Sequence, residues 1–369
     1  MKIGILTFHY AHNYGAMLQA YALVTFLRKN GYDAKIVDFR LPYIYDLFEL
    51  LDFKGFFARY RKKNSFVVSF LKSLKNYSKH RKKSEKWFQF EKFLNETLVK
   101  TKRVYGIDDI NSLQMDAFIC GSDQIWNSKL TGRLEPLYFC EGLKSDSLKI
   151  SYAASNGNEC VDVKDWNAFN SYLGNFDFVS VRENGLHSFL INHGIDCTLV
   201  CDPVFLLGKD EWQNICQPVK EMNYLLTYSF NENPDFFDEA QKLANKMNLR
   251  LVCFLFRKNE NLPSDVIQVI DGGPKDFVSY FNAASFVITN SFHGTAFSIL
   301  MQKQFYSVPP MKGRERTDSL LKSLGLEKRI VYKDFDVDIT IDYHKVNIKL
   351  NDICEQSNLF LFNSLSVNK

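Results

Sequence analysis

The first 39 residues alternate between a strand, a helix and a second strand. Residues 3–8 and 34–39 are apolar runs typical of buried strands. Between them, apolar side chains recur at helical spacing over residues 16–30, and Gly31 follows as a helix-ending residue. Two strands joined by one helix form a parallel pair. The pattern therefore predicts an α/β fold, and the first loop lacks the GxGxxG sequence of a dinucleotide site.

The same alternation returns after residue 103. Predicted strands cover residues 116–120, 149–154, 178–181, 197–201, 224–230, 250–256, 266–270, 286–288 and 305–308. Predicted helices cover residues 163–173, 235–247, 272–284, 295–303 and 346–365, and a further helix opens at Arg182-Glu183 and ends near His193. Pro203 restricts the backbone of Asp202, and we place a domain boundary there. Two Rossmann-like domains facing a cleft are predicted, as in GT-B enzymes.

Length and composition agree with this organisation. A chain of 369 residues with 46% hydrophobic residues suggests two domains with large cores. It contains no apolar run of about 18 residues, so we expect no transmembrane helix, and the N-terminus begins in a strand rather than a signal peptide. The eight cysteines form no CxxC pair. We expect reduced thiols in a cytoplasmic protein without a zinc site.

The positive charge is concentrated in one segment. Residues 54–103 hold 16 Lys or Arg and 3 Glu, which gives +13, whereas the rest of the chain holds 30 basic and 39 acidic residues, which gives −9. Residues 43–103 also interrupt the α/β alternation, and we interpret them as helices inserted into the first domain. Two interpretations stay open: a solvated helical surface, or a basic amphipathic surface that contacts anionic lipid. No nucleic-acid motif accompanies the charge, and we expect no nucleic-acid partner.

A histidine lies where a strand passes into a helix. The strand 286–288 is followed by Thr289-Asn290-Ser291, and Gly294 is predicted to permit a sharp turn before a helix that begins at Thr295. Ligands of open α/β sheets bind at the carboxyl ends of strands, and a helix N-terminus favours an anion. His293 is therefore a candidate acid/base beside an anion site. The alternative is a structural histidine.

Polar clusters at several strand ends resemble the polysaccharide pyruvyl transferase family. The matching residues are 13–23 (NYGAMLQAYAL), 121–127 (GSDQIWN), 180–183 (SVRE), 202–204 (DPV) and 291–294 (SFHG). The resemblance implies a GT-B-like fold and transfer of a pyruvate ketal (carboxyethylidene) group from phosphoenolpyruvate to a sugar. It also implies that His293 is the catalytic acid/base and that Arg182 binds the anionic donor.

The chemistry of this reaction suggests the other site residues. Asp123 is our candidate for deprotonating a sugar hydroxyl. Donor binding is assigned to Arg182, Ser291, Gly294, Thr295, Arg314 and Arg316, and Lys312 lies in the same basic loop. Acceptor binding is assigned to Asn13, Gly15 and His12. No metal or cofactor is expected, apart from phosphoenolpyruvate as the donor substrate. Each assignment has a structural alternative, such as pairing of Arg182 with Glu183 or a turn cap by Asp123.

The resemblance extends to partners and location. The acceptor is expected to be a sugar or lipid-linked oligosaccharide of a cell-surface glycan, such as an exopolysaccharide precursor. The predicted domains are 1–202 for the acceptor, 203–345 for the donor, and a C-terminal helix at 346–369. The enzyme would be cytoplasmic, and residues 54–103 could place it at the inner membrane leaflet. Two alternatives are a GT-B glycosyltransferase with a nucleotide-sugar donor and a non-catalytic binding protein on a decayed transferase fold.

Overall fold

The computed structural model describes residues 1–41, 65–72, 84–229, 234–308, 310, 314–333, 335 and 340–367. Much of the predicted basic insert, residues 42–64 and 73–83, lies outside the described residues, as do Lys312 and Gly313. Within the described ranges the chain is α/β, and all the strand pairs are parallel. The predicted fold class is confirmed.

The first sheet is built in the N-terminal half of the chain. Its strands are β1 (Lys2–Leu6), β2 (Asp33–Ile36), β3 (Ala117–Cys120) and β4 (Leu148–Ser151), in the order β2-β1-β3-β4. The pair β5 (Ser180–Val181) and β6 (Thr198–Leu199) extends it through the bridge between Ala154 and Val181. On the other edge, Lys100 and Val104 bridge to Ile36 and Phe39. With that edge segment, the order is that of a Rossmann sheet.

The second sheet repeats this order in the C-terminal half. Its strands are β7 (Tyr224–Tyr228), β8 (Arg250–Phe254), β9 (Ile267–Val269), β10 (Phe286–Thr289) and β11 (Gln304–Ser307), in the order β11-β10-β7-β8-β9. Ile330 bridges to Ser307 and adds the outer edge. The order reverses between β1 and β3 in the first sheet and between β7 and β10 in the second. Ligands of such sheets bind at these reversal points.

Helices connect and cover the strands. They are α1 (Tyr14–Lys29), α2 (Ser84–Lys92), α3 (Ile107–Ser112), α4 (Ser128–Thr131), α5 (Val163–Leu173), α6 (Asn184–Asn192), α7 (Lys209–Gln213), α8 (Pro234–Lys246), α9 (Pro274–Ala283), α10 (Phe292–Leu300), α11 (Glu315–Leu324) and α12 (Tyr343–Leu365). Residues 66–72 are also helical, and a π-helix, Phe93–Thr97, follows α2. The predicted strands occur where expected, most of them a few residues shorter.

The last helix returns to the first half of the chain. On α12, Ser357 Oγ accepts a hydrogen bond from the Cys201 backbone N–H at 2.9 Å. The Phe362 ring lies 5.9 Å from that of Phe26 on α1. The predicted division at residues 202/203 falls between β6 and β7, and α12 joins both halves through a shared core.

Tyr14 packs in the interface between the two halves of the molecule. It is fully buried, and its hydroxyl donates a hydrogen bond to the Gly272 carbonyl at 2.8 Å. Its ring stacks on Phe277 at 5.1 Å and meets Phe254 edge-on at 5.2 Å. The N-terminus of α1 is therefore held against the second sheet, where the strand ends of the two halves converge.

No helix in the described ranges is long and apolar enough to cross a membrane. All eight cysteines lie in the described part of the chain and form no disulfide. Cys197 and Cys201 are buried.

Candidate active site at the interface of the two sheets

The segment after β10 enters its helix earlier than the sequence suggests. Ser291 Oγ accepts a hydrogen bond from the Gly294 backbone N–H at 3.4 Å, so Ser291 is the N-cap of α10, which begins at Phe292. The predicted turn at Gly294 and helix start at Thr295 are wrong. Gly294 is needed for a different reason, because a Cβ there would overlap the Thr289 side chain of β10.

His293 therefore lies in the first turn of α10. It is 8% exposed, and its Nε2 lies 3.6 Å from Asp202 Oδ2. This Nε2 is buried and has no hydrogen-bond partner among the described residues. On the other side of the ring, a Cβ at Gly15 would overlap Nδ1. The imidazole is therefore enclosed between α1 and the carboxylate of Asp202.

Replacement of Gly15 by alanine is expected to inactivate the protein while leaving it folded. Alanine is a good helix residue, but here its methyl group would displace the His293 ring. A misplacement of about 1 Å can cost about 100-fold in rate. The matched control is Gly106→Ala, because a Cβ at Gly106 meets no atom within 4 Å. Circular dichroism together with turnover checks this, and full activity in Gly15→Ala would contradict the close contact.

Arg182 follows β5, and its guanidinium group lies in the same site. Its guanidinium forms a close ion pair with Asp202 and lies 3.6 Å from Glu183 and 4.0 Å from Asp123. Its Cζ lies 4.9 Å from the centre of the Phe292 ring. Burial alone would lower the pKa of Arg182, but the surrounding carboxylates outweigh it and raise that pKa. Nε and Nη2 lack a hydrogen-bond partner in the described part of the chain.

Arg316 of α11 brings a second guanidinium from the other half of the molecule. Its Cζ lies 5.7 Å from the centre of the Phe292 ring. With the Gln124 amide in its hydrogen-bonded orientation, the Gln124 oxygen accepts from both Nη atoms at 3.1 Å. Nε of Arg316 is buried and meets no acceptor in the described ranges. Two guanidinium groups thus lie near one aromatic ring, that of Phe292.

Arg314 does not join this pair. It is exposed, and its Nε bonds to Asp318 Oδ2 at 2.7 Å while Nη1 donates to the Tyr332 hydroxyl at 3.0 Å. The assignment of Arg314 to donor binding stays a prediction. In the structure Arg314 forms an ion pair at the protein surface.

The carboxyl groups of the site differ in the direction of their pKa shifts. Burial would raise the pKa of Asp202, but the charge of Arg182 and the contact with His293 bring it well below its ordinary value. Burial raises the pKa of Glu183 despite the opposing charges of Arg182 and Arg316. Burial also raises the pKa of Glu315, whose Oε1 accepts from the Gly185 N–H at 3.1 Å. Asp202 therefore remains a carboxylate anion.

Glu183 makes the stability of the protein depend on pH. The pKa of Glu183 is raised in the folded state. Its contribution to the free energy of unfolding is therefore fully present below the ordinary glutamate pKa and is lost as the pH rises through the folded-state pKa. Glutamine cannot ionise and escapes this loss. We therefore expect Glu183→Gln to gain stability relative to the natural protein as the pH rises above the ordinary glutamate pKa. Urea unfolding across this range measures the difference in unfolding free energy between the variant and the natural protein. A difference that changes in the opposite direction as the pH rises would contradict the raised pKa.

The other predicted residues have defined places. Asn13 caps α1, because its side chain accepts from the Ala16 N–H at 3.2 Å. His12 Nε2 lies 3.3 Å from Glu91 Oε1, and its ring stacks on Phe90 at 5.0 Å. Thr295 Oγ1 lies 3.1 Å from Ser307 Oγ. Their substrate-binding roles stay predictions.

Asp123 lies at the rim of the cluster. It adopts a left-handed backbone conformation (φ 70°), and its side chain is 15% exposed. Of the predicted residues, the structure brings together His293, Arg182, Asp123, Arg316 and Gly15.

Sequence reasoning missed the roles of Asp202, Phe292 and Gln124. All three belong to motifs at strand ends, and this membership is the signal from which their roles could have been found. What the sequence did not reveal is that these motifs meet across the interface, because no local pattern encodes a contact between the two sheets.

The two Rossmann-ordered sheets and their shared site define a GT-B-like fold. Two solved structures have a TM-score of 0.51 with this chain and cover 100% of it and 91% of their own length. They are a UDP-N-acetylglucosamine 2-epimerase of Listeria monocytogenes at 9% identity and MnaA of S. aureus, solved with UDP, at 10% identity. The sequence model of the polysaccharide pyruvyl transferase family matches residues 13–310. The chain therefore belongs to that family of transferases. No curated protein gives a significant sequence match.

Proposed function

We propose that this protein transfers a pyruvate ketal group from phosphoenolpyruvate to two hydroxyls of a sugar in a cell-surface glycan precursor. The observation that carries the proposal is the pair of guanidinium groups that both lie near the Phe292 ring, next to His293. Phosphoenolpyruvate has two anionic groups, a carboxylate and a phosphate, so its recognition calls for two cations at a fixed spacing.

The unpaired N–H groups support an anionic ligand. Nε and Nη2 of Arg182 and Nε of Arg316 are buried without a hydrogen-bond partner among the described residues, although the two Arg182 nitrogens lie 3.6 Å from Glu183 and 4.0 Å from Asp123. Buried donors are otherwise nearly always satisfied, and guanidinium groups bind carboxylate and phosphate oxygens strongly. The N-terminus of α10 adds a positive dipole end. Burial raises the pKa values of Glu183 and Glu315, which favours their uncharged forms.

The bonds and protons of this reaction balance when one group carries a proton to the CH2 carbon. The CH2 carbon of phosphoenolpyruvate gains a proton and becomes the methyl group of the ketal. Two C–O bonds form to the sugar, the C–O bond to phosphate breaks, and phosphate leaves with its electron pair. The two hydroxyls lose two protons, one of which goes to carbon and the other to phosphate. His293 can carry the first, since an imidazole can both accept and donate a proton. We assign removal of a hydroxyl proton to Asp123.

We place the enzyme in the cytoplasm, with membrane contact through residues 54–103. Their balance of +13 suits anionic lipid. In the described part of this segment, Val67 and Leu71 are 66% and 59% exposed. Flotation with phosphatidylglycerol vesicles tests this, and binding that persists after Val67 and Leu71 are replaced by serine would count against a role for this helix.

The catalytic proposal is tested by product analysis. The protein is incubated with phosphoenolpyruvate and a panel of lipid-linked and nucleotide-linked saccharides, and phosphate release is compared with the mass of each saccharide. Equal amounts of phosphate and carboxyethylidene product are expected, and both should be lost in Arg316→Ala and kept in Arg133→Ala, since the Arg133 side chain is 71% exposed and pairs with Glu135. Glycosyl transfer from UDP-sugars without any use of phosphoenolpyruvate would instead establish the glycosyltransferase alternative.

A further inference from the structure

We infer that Asp202 is the positioning residue of the site and that it directs proton exchange to Nδ1 of His293. This inference refines the proposed function, because it names the atom of His293 that acts. It rests on the contacts of one buried carboxylate with both halves of the molecule.

Asp202 lies at the junction of the two halves, directly after β6. Its side chain is fully buried. Oδ1 accepts a hydrogen bond from the Val204 N–H at 3.1 Å, which fixes the carboxyl plane at the start of the following 3-10 turn, Pro203–Leu206. Pro203 restricts the backbone of Asp202 further. The carboxylate is thus held by its own chain before any partner is considered.

The other oxygen faces three polar groups. Oδ2 pairs with Arg182, lies 3.5 Å from Ser122 Oγ, and lies 3.6 Å from Nε2 of His293. Arg182 and Ser122 belong to the first half and His293 to the second. One carboxylate therefore aligns the proposed donor-binding cation with the proposed acid/base.

This contact distinguishes the two ring nitrogens of His293. A carboxylate beside Nε2 favours a proton on that nitrogen, since the opposite tautomer would direct a lone pair at a negative charge. The neutral ring then has its lone pair on Nδ1, and Nε2 is buried. An orienting carboxylate acts in this way in Ser-His-Asp enzymes, where its loss costs about 10⁴-fold in turnover by favouring the wrong tautomer.

Gly15 explains why the ring can take this position. The α1 backbone passes so close to Nδ1 that only glycine fits there. A Cβ at Gly15 would overlap Nδ1 and both neighbouring ring carbons, so Gly15 packs against the face of the imidazole, whereas Asp202 lies at its Nε2 edge.

The test is the tautomer of His293, read by ¹⁵N NMR on protein labelled at histidine, with His293→Gln to assign the signal. We expect the Nε2–H form in the natural protein, and a shift toward the Nδ1–H form in Asp202→Asn. An Nδ1–H form in the natural protein would overturn the inference, even if Asp202→Asn fails to fold. This readout needs no substrate, so it stands apart from failure of the proposed transferase reaction.

Turnover supplies a second readout once an acceptor is known. Asp202→Asn is expected to lower kcat at least tenfold and to change the pH dependence of kcat, whereas a purely structural role would lower the amount of folded protein and leave the pH profile unchanged. An unchanged profile in folded Asp202→Asn would contradict a positioning role. The control is Asp318→Asn, since Asp318 holds the exposed Arg314 instead.

Discussion

Replacement of His293 by glutamine is expected to lower turnover by about 10²- to 10⁴-fold, the usual contribution of a general acid/base. The reason is that no other imidazole lies in the described cluster of Arg182, Arg316 and Asp202, and Asp202 remains an anion. Binding of phosphoenolpyruvate should change only a few-fold, since both guanidinium groups stay in place. Initial rates and calorimetric titration together separate the two effects.

The matched control for His293 is His344→Gln. His344 is exposed in the first turn of α12, far along the chain from the site. A His293→Gln protein with full turnover would remove the acid/base role. If the cellular glycan were also unchanged, the non-catalytic alternative on a decayed transferase fold would be favoured.

Replacement of Arg182 by methionine is expected to weaken both stability and donor binding. Arg182 is the close ion partner of Asp202, and its removal leaves that buried carboxylate with His293 and Ser122. Breaking a buried pair in this way typically costs about 3–5 kcal/mol. The donor would also lose the N–H groups of Nε and Nη2. Urea unfolding and phosphoenolpyruvate titration measure the two losses.

The comparison for Arg182 is Arg314→Met, which breaks only a surface pair with Asp318. Such pairs contribute about 0–1 kcal/mol, so little change in unfolding is expected. If both arginine variants had the same stability as the natural protein, the account of Asp202 as a paired buried anion would be wrong.

The sequence predicted the parallel sheets well because each strand carries its own signal. Apolar runs such as Phe286–Thr289 end in polar residues, and this local pattern suffices to locate a buried strand. The start of α10 was misplaced because Gly294 suggested a turn. In the structure Ser291 caps the helix, and the missing Gly294 side chain makes room for Thr289.

The site was predicted in its parts but not in its arrangement. Arg314 and Arg316 are two residues apart and have equal chemistry in the sequence. Positions two residues apart on a helix differ by about 200°, so Arg316 reaches Gln124 whereas Arg314, the N-cap residue of α11, turns to Asp318. Likewise, Gly15 was assigned to the acceptor, and the structure shows that it contacts His293. Such contacts depend on how two distant sheets meet, and sequence periodicity carries no information about that.

The most direct test of the account is calorimetric titration of the natural protein and of Arg316→Ala with phosphoenolpyruvate and, separately, with UDP-N-acetylglucosamine. We predict that phosphoenolpyruvate binds the natural protein, that its affinity falls at least tenfold in Arg316→Ala, and that the nucleotide sugar does not bind. A natural protein that binds the nucleotide sugar but not phosphoenolpyruvate would contradict the donor assignment.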